Sequence, residues 1–375
     1  MANLSAQQWV QKKFGIYYNG AKPTIPEIGM REFGFGGWEK KIEFRHMCFP
    51  TNEQLWMRLR KDAPLFVSCS AAYYEFPAAR PMERKNWLGA DLIFDLDAEA
   101  DALAPFILPS SLEDVKRKTH TLIEEFLIPD FGYSKDEISI NFSGSRGFHV
   151  HCYKKEAQML GRAERREIVD YIEGAGLGFD DFLHEEQMPA TRFKRIAGPS
   201  PSSGGHKGRF AKHVINILKN PSAAPAIHPK FKKEENRIKM IKGIENGRWS
   251  DVQIPHALEF FKAVFSRSRI RLSNRVETDA NVTIDTGKIL RLPDSIHGGS
   301  GLLALTVSKG FDSFEPLKDA LAFSTTRIEA IDALIDVPSQ EFAGQTFDAI
   351  KKGERAHVPE CYAVYLVCKK AAVPA

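Results

Sequence analysis

The segment Asp91-Leu-Ile-Phe-Asp95-Leu-Asp97 constrains this chain more than any other. Its apolar residues read as a strand, in which side chains alternate between faces. Asp95 and Asp97 therefore share one face, while Phe94 and Leu96 share the other. Two carboxylates one strand repeat apart repel each other, and no basic residue stands near them in sequence. The arrangement costs free energy unless a cation sits between the acids. Hard, oxygen-preferring Mg²⁺ suits it, held by one or two carboxylates plus substrate phosphates. Two such ions roughly 3.5–4 Å apart would activate an attacking hydroxyl and stabilise a leaving oxygen.

Three readings of that strand compete. One is a solvated acidic strand end. Another is a phosphatase of the haloacid-dehalogenase type, which follows its Asp-x-Asp with Gly-Thr or a similar pair where this chain has Ala98-Glu99. The third is a nucleotidyl transferase.

The 375 residues suffice for two average domains, or for one large domain with an insertion. Apolar residues at 43% and charged residues at 27% are ordinary for a globular protein with a real core. No apolar run reaches the roughly 18 residues that span a bilayer, and the N-terminus lacks a secretory apolar stretch. Five scattered cysteines with no CxxC argue against a disulfide scaffold or a zinc ribbon. These features predict a soluble, intracellular protein that does not engage a membrane.

Charge is distributed unevenly. Ala190 to Arg275 holds 19 Lys+Arg against 5 Asp+Glu, while the remainder holds 33 against 43. Such cationic density is what a phosphate backbone attracts, although a solvated Lys-rich helical insertion would look the same.

REFGFGGWEKKIEF predicts a strand pair joined near Gly36-Gly37, and TNEQLWMRLRKD a short helix capped by Thr51. LEDVKRKTHTLIEEFLI predicts a helix, and ISINFSGSRGFHVHCY a hairpin around a Ser/Gly turn. Helical period dominates from about Glu156 to Phe265. Strand-like patterns return at ANVTID, GLLALTV and the late YAVYLV.

In the turn Ser143-Gly-Ser145-Arg146-Gly147-Phe148-His149, the glycines permit close backbone approach and positive φ. Hydroxyls, free N–H groups, a guanidinium fork and an imidazole together make a phosphate-binding set. His149 and His151 fall on one strand face. No acidic or cysteine partner lies close in sequence to make them a zinc pair, and His151 alone reads as a satisfied structural histidine.

LIFDLDAE, then SGSRGFHVH, then ETDANVTIDTGKILRLPDSIHGGSGL, taken in order, resemble the small, catalytic subunit of archaeal and eukaryotic-type DNA primase. REFGFGG, VSCSAAYYEFPAA and VPECYAVYL extend the similarity over essentially the whole chain. The resemblance implies an α+β fold: a catalytic core of mixed and antiparallel sheets flanked by helices, with an inserted, mainly helical subdomain. The corresponding division is 1–160 and 266–375 for the core, and 161–265 for the basic insertion.

By the same resemblance, Asp95, Asp97 and Asp279 match the family's metal-binding carboxylates, for two Mg²⁺ or Mn²⁺ ions. Ser143, Arg146 and His149 match contacts to the incoming triphosphate, and Lys288, Arg291 and His297 match further phosphate contacts. Arg45 stands where the family has a basic residue close to the nucleotide. The implied activity is DNA-templated synthesis of short primers from nucleoside triphosphates on single-stranded DNA, in a heterodimer with a primase large subunit. A cytoplasmic, nucleoid-associated location follows from it. A repair or gap-filling polymerase on the same core, or a non-catalytic nucleic-acid-binding subunit, are the alternatives.

One departure stands out. Family members often carry a zinc knuckle between the Asp pair and the Ser-Gly turn, but residues 98–142 hold no cysteine and only one histidine, His120. No structural zinc is expected, and apolar packing around Ile107–Leu112 is expected in its place.

Overall fold

In the computed structural model, which describes residues 5–98, 105–188, 194–254, 257–259, 261–262, 264–266, 278–308 and 310–375, the architecture is α+β. The chain divides into two units, one of residues 1–119, 133–166 and 278–375, the other of residues 120–132 and 167–277. No helix among the described residues is long and apolar enough to cross a membrane.

The first unit opens with helix α1 (Ala6–Gly20), started by a capping box between Ser5 and Gln8. Strands β1 (Phe33–Gly36) and β2 (Phe44–Met47) form the expected antiparallel pair. Helix α2 (Asn52–Asp62) follows, and Thr51 caps it by accepting the N–H of Gln54. Strand β3 (Phe66–Ser70) pairs with the other edge of β1, and the late strand β11 (Ile289–Arg291) pairs with β3. A short pair, β4 (Ala72–Tyr74) with β5 (Trp87–Ala90), leads into the acidic strand β6 (Leu92–Asp97). The hairpin around the Ser-Gly turn is β7 (Ile138–Phe142) and β8 (Gly147–Cys152), and the sheet runs in the order β6-β8-β7.

Alternation fixes which face of that sheet is core. Phe94, Leu96, Phe142, Phe148 and Val150 are fully buried, and Phe148 meets Phe311 edge-on at 5.3 Å. On the acid-bearing face, Ile93 packs with Ala71, Val282 and Leu290 in a separate small cluster. That cluster clamps β6, β11 and the segment after Asp279 together.

Three strand expectations fail. ANVTID forms a helix, Ala280–Ile284, because Asp279 caps it, accepting the N–H of Asn281 at 2.9 Å. The cap overrides the strand preference of Val, Thr and Ile. YAVYLV lies in the helix Glu360–Cys368, all nine residues of which are buried. A segment apolar on every side shows no period, and β-branched residues alone do not distinguish buried helix from buried strand. GLLALTV forms only isolated bridges, Ile296 with Leu303, Leu302 with Leu321 and Asn141 with Thr306.

Helix α3 (Pro109–Leu122) continues through a π-helical turn at Ile123–Leu127. Just before it, Phe106 and Ile107 are buried along with Leu112, and the N–H of Ile107 donates to Tyr365 Oη at 2.8 Å.

The second unit contains the helices Gly205–Lys219 and Glu234–Glu245, and a hairpin of β9 (His184–Gln187) with β10 (Lys194–Ala197). Its core centres on Trp249, stacked on Phe210 at 5.4 Å and edge-on to Phe261 at 5.2 Å. Residues 190–193 and 267–275 of the basic stretch lie outside the described residues.

Candidate active site

Register brings the acid pair against the Ser-Gly turn. In the antiparallel pairing of β6 with β8, Asp95 faces His149 and Asp97 faces Gly147. A Cβ on residue 147 would lie 2.0 Å from Asp97 Oδ1 and 2.2 Å from Leu96 O, so glycine alone fits there. Ser143 shapes the turn itself, its Oγ accepting the N–H of Gly147 at 3.2 Å. Gly144 has φ +78°, and a Cβ there would meet His297 Cβ at 2.7 Å. The turn glycines thus admit Asp97 on one side and the His297 loop on the other.

The third acid arrives through backbone. The N–H of Asp279 donates to Asp95 O at 2.8 Å, and the Ile93–Val282 packing holds the following helix there. Asp95 Oδ1 is buried without a hydrogen-bond partner and sits 3.5 Å from His149 Nε2. Burial, and then the charge of Asp279, push the Asp95 carboxyl up to about 6, while Lys288 and Lys41 oppose the rise. Asp97 is also raised, by desolvation first and Asp95 second, against His149, Arg146 and Lys41. Among the described residues no group of three or more His, Cys, Asp or Glu side chains is arranged to hold a metal ion, and the Asp279 carboxylate caps its own helix.

Cationic and aromatic groups line the other side. Arg291, on β11, lays its guanidinium 4.8 Å from the Phe66 ring centroid. Its Nε has no hydrogen-bond partner, and burial lowers its pKa to about 10. His297 is buried edge-on to the same Phe66 ring at 5.4 Å, and its Nδ1 accepts the N–H of Gly299 at 3.2 Å. Burial holds His297 well below its ordinary pKa and lowers His149 to about 4. Both imidazoles are therefore neutral at pH 7 in the free protein, and serve as hydrogen-bonding groups rather than standing charges. Arg146 is half-buried, and its carbonyl accepts the N–H of Ala98 at 3.1 Å.

Lys288 begins the approach to β11 and acts on Asp95 through its charge. Arg45 stands beside the Lys288 loop and spends two donors on the protein. Its Nε donates to the buried Glu32 at 2.7 Å and its Nη2 to Gly287 O at 2.9 Å, so it braces the loop that presents Lys288. His151 stacks on Tyr153 at 6.1 Å, but its enclosed Nε2 has no partner, so it is not the satisfied histidine expected.

Sequence reading missed Phe66, Lys41 and Lys369, whose charges or rings bear on this cluster.

Comparison with known proteins agrees with this geometry. Residues 94–308 match the model of the DNA primase small subunit family. The chain is 32% identical over 400 residues to the DNA primase small subunit PriS of Methanocella arvoryzae, covering 99% of each chain. It is likewise 32% identical to the PriS protein of Methanococcoides burtonii at 99% of each, and 31% identical to that of Archaeoglobus fulgidus at 96% of each. With the acids, the Ser-Gly turn and the basic strand all inside the matched span, the chain belongs to the DNA primase small subunit family.

Proposed function

We propose that the chain is the catalytic subunit of a DNA primase and makes short primers on single-stranded DNA by nucleotidyl transfer. The 3′-hydroxyl of one nucleotide attacks the α-phosphate of the next, and pyrophosphate leaves. The observation that carries this reading is the backbone approach of Asp279 to the strand of Asp95 and Asp97, with Lys288 and Lys41 acting on the same carboxylate.

Asp95, Asp97 and Asp279 would hold divalent cations. Asp95 Oδ1, buried without a donor and raised first by burial and then by Asp279, would suit a hard, oxygen-preferring cation such as Mg²⁺ or Mn²⁺. When bound, two such ions lower the pKa of the attacking hydroxyl and neutralise developing charge.

The remaining groups position the nucleotide. Arg146, Lys288 and Arg291 offset phosphate charge, and His149 and His297 donate hydrogen bonds as neutral rings. Ser143 holds the turn in shape and Arg45 the Lys288 loop. Chemistry of this kind depends on placement and preorganised charge, so no protein nucleophile is needed.

Single-stranded template and a large subunit are the proposed partners. The second unit supports the first of these: Lys230, Lys232, Lys233 and Lys239 line one groove with Asn236 and Ser250. The test is synthesis without a primer. Full-length protein, single-stranded DNA, nucleoside triphosphates and Mg²⁺ or Mn²⁺ should yield short labelled products. Extension of a supplied primer with no unprimed synthesis would favour a gap-filling polymerase instead.

A further inference from the structure

The last helix ends beside the nucleotide site. Gly301, at φ +70°, closes the His297 loop against the helix Glu360–Cys368, and a Cβ there would lie 2.7 Å from Val364 Cγ1. Ser300 Oγ donates to Gly144 O, so the same loop also fastens the Ser-Gly turn. One turn past Val364, the chain leaves the helix at Lys369 and Lys370. Lys370 Nζ sits 5.6 Å from the Trp38 ring, in the β1–β2 turn that also carries Lys41. Four segments distant in sequence therefore meet: the β1–β2 turn, the Ser-Gly turn, the His297 loop and the end of the last helix.

Lys369 faces this meeting point without a counter-charge. Its Nζ lies 5.6 Å from the Tyr365 ring and has no carboxylate partner among the described residues. Arg146 acts on Lys369 against an opposing effect of the neighbouring Cys368 thiol, and Arg291, Lys369 and Lys41 act on His297. Burial comes first among the causes that lower Lys369 to about 8, and Arg146 second. A half-buried ammonium beside another cation is unfavourable unless a compact polyanion joins them.

We propose that Lys369 is a further nucleotide-binding residue, its ammonium holding the polyphosphate tail of the incoming triphosphate beside Arg146 and His297. The proposal rests on the nucleotide-site reading above and adds a contact from the far end of the chain. A lysine ammonium, a compact charge with three rotatable donors, suits phosphate oxygens. A triphosphate concentrates its charge at one point, whereas a template strand spreads its phosphates along the backbone.

The experiment compares full-length wild type with Lys369→Met, Lys369→Arg and Arg146→Ala. Binding of ATP, AMP, inorganic tripolyphosphate and single-stranded DNA is measured, with steady-state primer synthesis alongside. Lys369→Met should weaken ATP and tripolyphosphate about tenfold, as loss of a charge-assisted phosphate contact does. AMP and DNA binding should stay unchanged, KM should rise more than kcat falls, and Lys369→Arg should recover most of the affinity. Removing an uncompensated cation should leave Tm unchanged or higher, so a folding defect would be visible separately. Wild-type tripolyphosphate affinity in Lys369→Met, with a loss in Arg146→Ala, overturns the proposal and leaves the nucleotide site standing. Wild-type affinity in both variants overturns the nucleotide site as well. Weakened DNA binding with unchanged ATP binding assigns Lys369 to the template and overturns the proposal.

Discussion

A methyl group on Gly147 would sit 2.0 Å from Asp97 Oδ1. It would also sit 2.2 Å from Leu96 O, so the residue that follows Arg146 is glycine because the β6 backbone itself, as well as its acid, passes too close for a side chain. Gly147→Ala must push β8 away from β6, because turning the Asp97 carboxylate aside leaves the overlap with Leu96 O. Primer synthesis should fall by more than tenfold, with a stability loss of about 1–3 kcal/mol from overpacking. Thermal melts and a primer assay on one preparation check both effects. Wild-type synthesis in this variant would show that Asp97 need not stand where it does.

Asp95 carries a stability cost that depends on pH. Its carboxyl is raised from 3.8 to about 6, so the folded state binds protons more tightly than the unfolded chain. The cost is fully present above about pH 6 and fades as pH falls towards 4. Without divalent ions, Asp95→Asn should therefore be more stable than wild type by about 2 kcal/mol at pH 7.5, and by nothing at pH 4. Denaturant melts in a chelator at the two pH values measure the difference.

Phe66 joins Arg291 and His297, its ring 4.8 Å from the guanidinium and 5.4 Å from the imidazole. Phe66→Leu keeps the strand and most of the apolar volume but removes the π face. The nucleotide KM should rise several-fold with kcat little changed, at a stability cost of about 1 kcal/mol. Unchanged KM would remove the ring from the site.

Lysines of the second unit should act on template alone. Lys232→Glu with Lys233→Glu places two acids in the groove shared with Lys230 and Lys239. Single-stranded DNA affinity should fall and its salt slope should shrink by about one unit for each lost phosphate contact, with ATP affinity unchanged. Titrations at several salt concentrations give that slope directly.

The parts of this site legible in sequence were those set by local pattern. Period-two alternation put Asp95 with Asp97 and His149 with His151, and the β6–β8 register sets both pairs on the same face, Asp95 directly opposite His149. Thr51 announced helix α2 by its capping position. Where local pattern was mute, reading went astray. The run after Asp279 is β-branched, yet a side-chain cap makes it helical, and YAVYLV is apolar all round and so has no readable period. The charge state of His149 and His297 depends on burial, which a sequence does not display. Phe66 and Lys369 reach the site through tertiary packing alone, with no motif to mark them.

The claim on which the rest depends is that three acids from two distant segments clasp divalent cations. Mn²⁺ binding followed by electron paramagnetic resonance, with nucleotide present, tests it without requiring turnover. Wild type should take up about two ions, and a variant with Asp95, Asp97 and Asp279 all changed to Asn should retain neither while remaining folded. Mn²⁺ uptake by that variant equal to wild type would contradict the account.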